Sequence, residues 1–305
     1  MTIRLGLQIP NFSYGTGVEA LFPTVIAQAQ EAEAAGYDSV FVMDHFYQLP
    51  GLGAPDEPML EAYTALGALS TATERVQLGT LVTGNTYRNP TLLAKIITTL
   101  DVISGGRAVL GIGTGWFELE HDQLGFEFGT FTERFAKLDE ALQILLPMIA
   151  GERVSFTGTH YRTRAAFAEP RFSDSIPLMI GGSGEKKTFG LAARYFDHLN
   201  IIASFAELPA KVAALTRRCE EVDRDPASLE TSILLTVVPD PGFSDDMVPE
   251  AMRGRMAVGS PEKIAETVQR NVVDAGIDGV ILNLPGYVPG SIARVGAALR
   301  PVLGV

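Results

Sequence analysis

The sequence predicts an α/β fold, a closed barrel of eight parallel strands with helices between them, (β/α)8, and three observations predict it. Helical and strand periods alternate along the chain. One junction recurs three times, as AAGYDSVFV (Ala34–Val42), AARYFDHLNII (Ala192–Ile202) and DAGIDGVIL (Asp274–Leu282). Each is a helix end, a short turn carrying aspartate and a buried strand, which marks one repeating unit. Eight strand candidates fall within 305 residues, the size of one such barrel.

In order, the strands are expected at Ile3–Ile9, Ser39–Met43, Gln77–Val82, Ala108–Ile112, Leu178–Ile180, His198–Ile202, Ser232–Val238 and Gly279–Leu282. Each is a short apolar run, too short for a helix. Phe22–Ala35 is expected as an alanine-rich helix stopped by Gly36. Pro90 suits a first helical turn, and Leu92, Leu93, Ile96, Ile97, Leu100 and Ile103 then recur at helical spacing up to Gly105-Gly106. A strand, helix and strand joined this way form a right-handed parallel crossover. It brings the loops Leu81–Asn89 and Gly113–Glu120 to the same end of the sheet, where α/β proteins bind ligands. Phe131–Ile149 reads as a further helix. RVSFTGTHYR, near 153–162, reads as a small hairpin at the carboxyl-terminal rim, and Pro239–Met256 as a mobile lid. No linker divides the chain, so residues 1–305 are expected to form one domain.

Composition narrows the function. A net charge of −12 argues against a nucleic-acid or anionic-membrane partner. The N-terminus enters a strand at once without a signal-like segment, and no apolar run approaches the roughly 20 residues of a membrane helix. A cytoplasmic protein is expected. Cys219, the single cysteine, excludes an internal disulfide and falls in the apolar register of a helix with Leu215 and Val222, as a core residue would.

Three clusters carry chemistry. Asp44-His45 lies just beyond the second strand, at the end of the barrel that holds active sites; an imidazole there can hold or relay a proton. With His121, His160 and His198 as the only other histidines, and no spaced ligand pair, no metal is expected. Gly181-Gly182-Ser183-Gly184 follows a strand and leads into a helix from about Lys186 to Arg194. Its backbone N–H groups and the helix N-terminus suit a phosphate, with Lys186 and Lys187 adding positive charge. Gly113 and Gly115 permit close approach of a planar ring. Trp116 can wall a substrate cavity, Glu118 or Glu120 can supply a carboxylate, and Glu120 can instead anchor the loop to Arg134.

LVTGNTYRNPTLLAK, TLDVISGGR and GIGTGWFELEH followed by ERF resemble the luciferase-like superfamily of flavin and deazaflavin oxidoreductases. The likeness is greatest to the actinobacterial branch that uses the deazaflavin coenzyme F-420, and it runs from Ile3 to about Leu284. The resemblance implies that His45 lies near the reactive centre, with Asp44 facing the flavin-like ring. It implies that Thr80, Leu81 and Thr83 support the back of that ring, on a bulge that often carries a non-prolyl cis peptide. The chain departs from the sugar-phosphate dehydrogenases of the branch, with Trp116 where they have a catalytic glutamate and Leu49 where they have a tryptophan.

The function expected from this resemblance is hydride transfer between coenzyme F-420 and a small organic substrate. His45, Glu118 and Trp116 are then the catalytic candidates. Asp44, His45, Thr80, Leu81, Thr83, Gly113, Gly115, Gly181, Gly182, Ser183, Gly184 and Lys187 are the cofactor-binding ones. The alternatives are a monooxygenase using reduced FMN and dioxygen, and a non-catalytic flavin-binding protein. A homodimer is expected.

Overall fold

In the computed structural model, which describes residues 3–305, the strands and helices alternate as the periods predict. They run β1 Leu5–Ile9, α1 Val18–Ala34, β2 Ser39–Val42, α2 Ala62–Ala72, β3 Gln77–Thr80, β4 Thr83–Gly84, α3 Pro90–Ser104 and β5 Ala108–Gly113. Then come α4 Glu118–Leu124, α5 Phe131–Ile149, the pair β6 Val154–Thr157 and β7 Arg162–Ala166, β8 Leu178–Gly182, α6 Thr188–Tyr195 and β9 His198–Ile201. α7 Leu208–Glu220, β10 Glu230–Val238, β11 Met256–Val258, α8 Pro261–Val268, β12 Gly279–Asn283 and α9 Ser291–Leu303 complete the chain. β12, β1, β2, β3, β5, β8, β9 and β10 pair in that order, all parallel, and β10 pairs with both β9 and β12. The sheet therefore closes into an eight-stranded barrel. Among the described residues no helix is long and apolar enough to cross a membrane.

Alternation along each strand builds two cores. Leu5, Leu7, Ile9, Val40 and Val42 pack outward against the helices. Ile3, Phe41, Val109, Met179 and Ile281 fill the barrel, with Leu81, Val82 and Leu234 packed against them. Local chemistry sets the helix ends. Asn89 caps α3 by accepting from Thr91 N–H, Pro90 opens it, and Gly105 closes it at φ 68°. Thr130 and Glu133 form a reciprocal capping box on α5.

Several boundaries differ from expectation. α1 begins at Val18, four residues early, because its first turn is exposed and shows no apolar period. The predicted α3 face splits: Leu93, Ile97 and Leu100 are buried, whereas Leu92 and Ile103 are exposed. Gly113–Glu120 is not all loop, since its acidic end opens the short helix α4, which stops at Gly125 in left-handed conformation. The wide turn from Gly184 O to Phe189 N delays α6 to Thr188. The hairpin forms, but its second strand runs on to Ala166. Glu140 of α5 accepts the N–H groups of Thr159, His160 and Tyr161 at its tip. The lid stretch contains two three-residue 3-10 turns, and its end is taken up by β11 against Thr236–Val238 of β10. Cys219 is buried in α7, as its register predicts.

Candidate active site

The carboxyl end of β2 delivers Asp44 and His45 in opposite senses. Asp44 is 3% exposed. It meets the Arg88 guanidinium through two bonds of 2.7 and 2.9 Å and accepts Gly84 N–H at 3.0 Å. Burial pushes its carboxyl above the ordinary value, and Arg88 opposes that rise. Arg88 also reaches Glu61, the residue that caps α2, at 2.7 Å. Asp44 is thus committed to the protein, not turned to a ligand.

His45 keeps 13% exposure, and its Nδ1 lies 2.9 Å from Oε2 of Glu120, a fully buried carboxylate. Oε2 also accepts the Tyr87 hydroxyl at 2.5 Å, while Oε1 accepts Phe46 N–H at 2.5 Å and Tyr47 N–H at 2.9 Å. Burial pushes the Glu120 carboxyl up, but His45, Tyr87 and the Tyr47 amide outweigh it and hold it below the usual carboxylate range. Tyr87 is pushed up, by burial and then by the carboxylate it donates to. Of the two roles expected for Glu120, the link to Arg134 is replaced. Arg134 anchors the loop by donating to the carbonyls of Gly115 and Gly129 and lies over the Phe128 ring.

A stability consequence follows. The folded value of Glu120 lies below its ordinary 4.5, so the unfolded state binds more protons as acid is added. Its contribution is present above about pH 4.5 and is lost as pH falls through the folded value. Thermal melts between about pH 7 and pH 3 should show a smaller acid-induced fall in Tm for Glu120→Gln than for the wild type. Equal slopes would mean the carboxylate is not held ionised.

Trp116 and Phe117 stand edge-on to the His45 ring, with centroids 5.7 and 5.8 Å away. Trp116 is 59% exposed, a wall open to ligand. Glu118 is exposed on the first turn of α4 and joins none of the hydrogen bonds around His45. His121, one turn along, is held between Phe117 O and the Thr86 hydroxyl and stacks on Tyr87.

The end of β3 separates by side. Thr80 and Thr83 are buried and face the helices: their hydroxyls are 2.6 Å apart, and Thr83 also meets the Tyr63 hydroxyl at 2.6 Å. Burial, with Asp44 nearby, pushes the Tyr63 phenol up to about 12. These threonines therefore brace the strand from behind. Leu81 and Val82 are half-buried above the barrel core. The Leu81–Val82 peptide is cis, and Gln8 Nε2 donates to Leu81 O at 3.1 Å. Val82 sits between two strand ends: a Cβ on Gly113 would lie 2.9 Å from its Cγ2, and one on Gly181 would lie 3.3 Å from its Cγ1. The space over Gly113 and Gly181 is filled by Val82. Gly115 is needed for another reason, φ 75° beside Thr86.

The Gly181–Gly184 loop lies at the same mouth. Lys211 of α7 holds it by donating to Ser183 O at 3.1 Å and to Glu185 at 2.9 Å. Ser183 and Gly184 are exposed, and Lys187 reaches across to the Phe131 and Phe135 rings at 5.0 and 5.1 Å. The structure thus gathers His45, Trp116, Leu81, Val82 and the glycine loop at one end of the barrel. Sequence reading missed Arg88, Tyr87, Gln8 and Tyr63 as site residues. Tyr87-Arg88 lay inside a motif already singled out, but their partners are 33 and 44 positions away.

The chain is similar to known proteins along most of its length. It is 41% identical over 192 residues to an F420-dependent glucose-6-phosphate dehydrogenase of Microbacterium testaceum, covering 62% of this chain and 54% of that relative. The chain therefore spans about half the length of that curated relative. A second protein of that description, from Kineococcus radiotolerans, is 31% identical over 313 residues, covering 90% and 91%. A solved F420-dependent secondary alcohol dehydrogenase in complex with an F420-acetone adduct shares the fold, with a TM-score of 0.86 at 21% identity over 99% of both chains. The family model described as luciferase-like monooxygenase matches residues 3–246, and the chain belongs to that family.

Proposed function

We propose that this chain is an oxidoreductase that moves a hydride between coenzyme F-420 and a small organic substrate. The observation that carries the proposal is the placement of His45, paired through Nδ1 with a buried carboxylate, at the same end of the barrel as Leu81 and Val82, beyond the neighbouring strand. The residues present fit a tricyclic ring with a phosphate-bearing tail. Leu81 and Val82 offer a half-buried apolar surface, and the buried Gln8 Oε1 and Asn283 Oδ1, neighbours in register at the carboxyl end, lack partners among the described residues. Such acceptors are satisfied by a ligand's N–H or hydroxyl groups. The Gly181–Gly184 loop, Lys186 and Lys187 suit the phosphate.

When bound, the deazaflavin supplies a hydride acceptor or donor that hardly reacts with dioxygen. His45 holds the proton that leaves or joins the substrate oxygen as the hydride moves, and Glu120 holds His45. Trp116 and Phe117 wall the substrate side and keep water from it. Trp116 and Leu49 replace the glutamate and tryptophan of the sugar-phosphate dehydrogenases, so the substrate is expected to be something other than a sugar phosphate. Titration of the purified protein with coenzyme F-420 and with FMN, following fluorescence and turnover, tests the reading. Tight FMN binding with oxygen consumption and no deazaflavin binding would move the chain to the monooxygenases.

The glycine loop gives a separate test. Gly182 has φ 146°, so a side chain there strains the backbone as well as the site, whereas Gly184 is exposed and has no such φ. Gly184→Val is expected to weaken cofactor binding about tenfold or more, about 1.4 kcal/mol, with little change in the Tm of the free protein. Unchanged affinity would place the phosphate elsewhere.

A further inference from the structure

We infer that Glu120 sets the tautomer of His45, keeping the proton on Nδ1 and leaving Nε2 as the acceptor, so that Glu120 is a positioning residue for the proposed proton transfer. The tautomer rests on the hydrogen-bond geometry around an ionised Glu120; only its catalytic consequence rests on the function proposed above.

Four donors surround the Glu120 carboxylate. Phe46 N–H and Tyr47 N–H both point at Oε1, and a backbone amide can only donate. Oε1 is therefore an acceptor in any arrangement. Oε2 receives the Tyr87 hydroxyl and faces His45 Nδ1. An ionised carboxylate has no proton to give, so the hydrogen bond at 2.9 Å requires N–H at Nδ1. Among the described residues no other polar group hydrogen-bonds to the ring. Asp44 is turned to Arg88 and Gly84, His121 is held by Phe117 O and Thr86, and the Trp116 and Phe117 rings lie at 74° and 75° to the imidazole. Among the described residues Nε2 has no partner, and the side chain stays 13% exposed.

The same geometry states what an amide would do. In Glu120→Gln the oxygen must remain where Oε1 is, to accept the two backbone N–H groups. The NH2 group then occupies the Oε2 position and donates to Nδ1 and to the Tyr87 oxygen. The amide keeps partners at both ends and only the Tyr87 O–H loses its acceptor, and the imidazole must carry its proton on Nε2. The group facing the cavity changes from acceptor to donor. Replacing a histidine-orienting carboxylate by its amide has cost about 10,000-fold elsewhere through this wrong tautomer.

The test uses full-length protein labelled with 15N-histidine, its ring nitrogens observed by NMR at a pH where the imidazole is neutral, and His45 assigned by its loss in His45→Gln. In the wild type and in Tyr87→Phe, Nδ1 is expected to be protonated and Nε2 not; in Glu120→Gln the two shifts exchange. Turnover of Glu120→Gln should fall about 100- to 10,000-fold in the direction in which His45 takes up the proton, with cofactor affinity unchanged. A wild-type ring protonated on Nε2, or no exchange in Glu120→Gln, overturns the inference, and the wild-type spectrum decides even if the variant does not fold. Exchange of the shifts with undiminished turnover keeps the tautomer assignment but overturns the positioning role of Glu120 and removes His45 from the chemistry.

Discussion

Replacing His45 by alanine is expected to lower turnover about 100- to 10,000-fold, the usual contribution of general acid–base assistance, while cofactor affinity changes by much less. The affinity is spared because the glycine loop and the Leu81–Val82 surface belong to other strands and do not depend on the imidazole. Glu120 loses one of four donors and keeps Phe46, Tyr47 and Tyr87, so the fold should tolerate the change. A purely structural histidine would behave otherwise, lowering stability by about 1–3 kcal/mol through the lost buried hydrogen bond and leaving the chemistry intact. Single-turnover reduction of bound cofactor, read beside thermal melts, separates the two. Turnover within a few-fold of wild type would withdraw the catalytic role.

The largest stability effect is expected from Arg88→Met. Its guanidinium makes both hydrogen bonds to Asp44 and one to Glu61, and it lies 5.0 Å from the Tyr63 ring centroid. Without it the buried Asp44 must stay charged with only Gly84 N–H for company or take up a proton. Breaking a buried ion pair by removing one partner costs about 3–5 kcal/mol. Denaturant unfolding measures the loss, and adding Asp44→Asn should recover much of it, because the amide needs no counter-charge. A cost below about 1 kcal/mol in the single variant would mean that water reaches Asp44. This outcome bears on function too, because Asp44 fixes the chain immediately before His45.

Much of the architecture was legible because its causes are local. Val40, Val42, Leu78 and Leu110 read as strand residues because β-strands buried on both faces are short apolar runs. Asn89-Pro90 and Gly105 announced the ends of α3 through capping chemistry confined to a few residues. The recurring turn aspartate also has a local use with one distant target: Asp38 accepts the N–H groups of Arg4 and Leu5 on the neighbouring strand. Where local signals were weak, as in the exposed first turn of α1 or the acidic α4, the boundaries moved.

Strand count, the crossover hand, the end of the barrel expected to carry the site, and Asp44-His45, Trp116 and the glycine loop as its candidates all follow from patterns each confined to a short stretch of the chain. The roles within the site do not. Asp44 was expected to face a ligand and instead meets Arg88, 44 positions on. Thr80 and Thr83 were expected beneath the ring and instead brace the strand through Tyr63. Gly113, read as room for a planar ring, and Gly181, read as part of a phosphate-binding loop, make room for Val82. Glu120, read either as a carboxylate of the site or as a loop anchor to Arg134, meets His45 across 75 positions. Periodicity assigns a residue to an element and a face. Which polar atom meets which depends on register, barrel closure and the turn each loop takes, and these are decided only when distant strands come side by side.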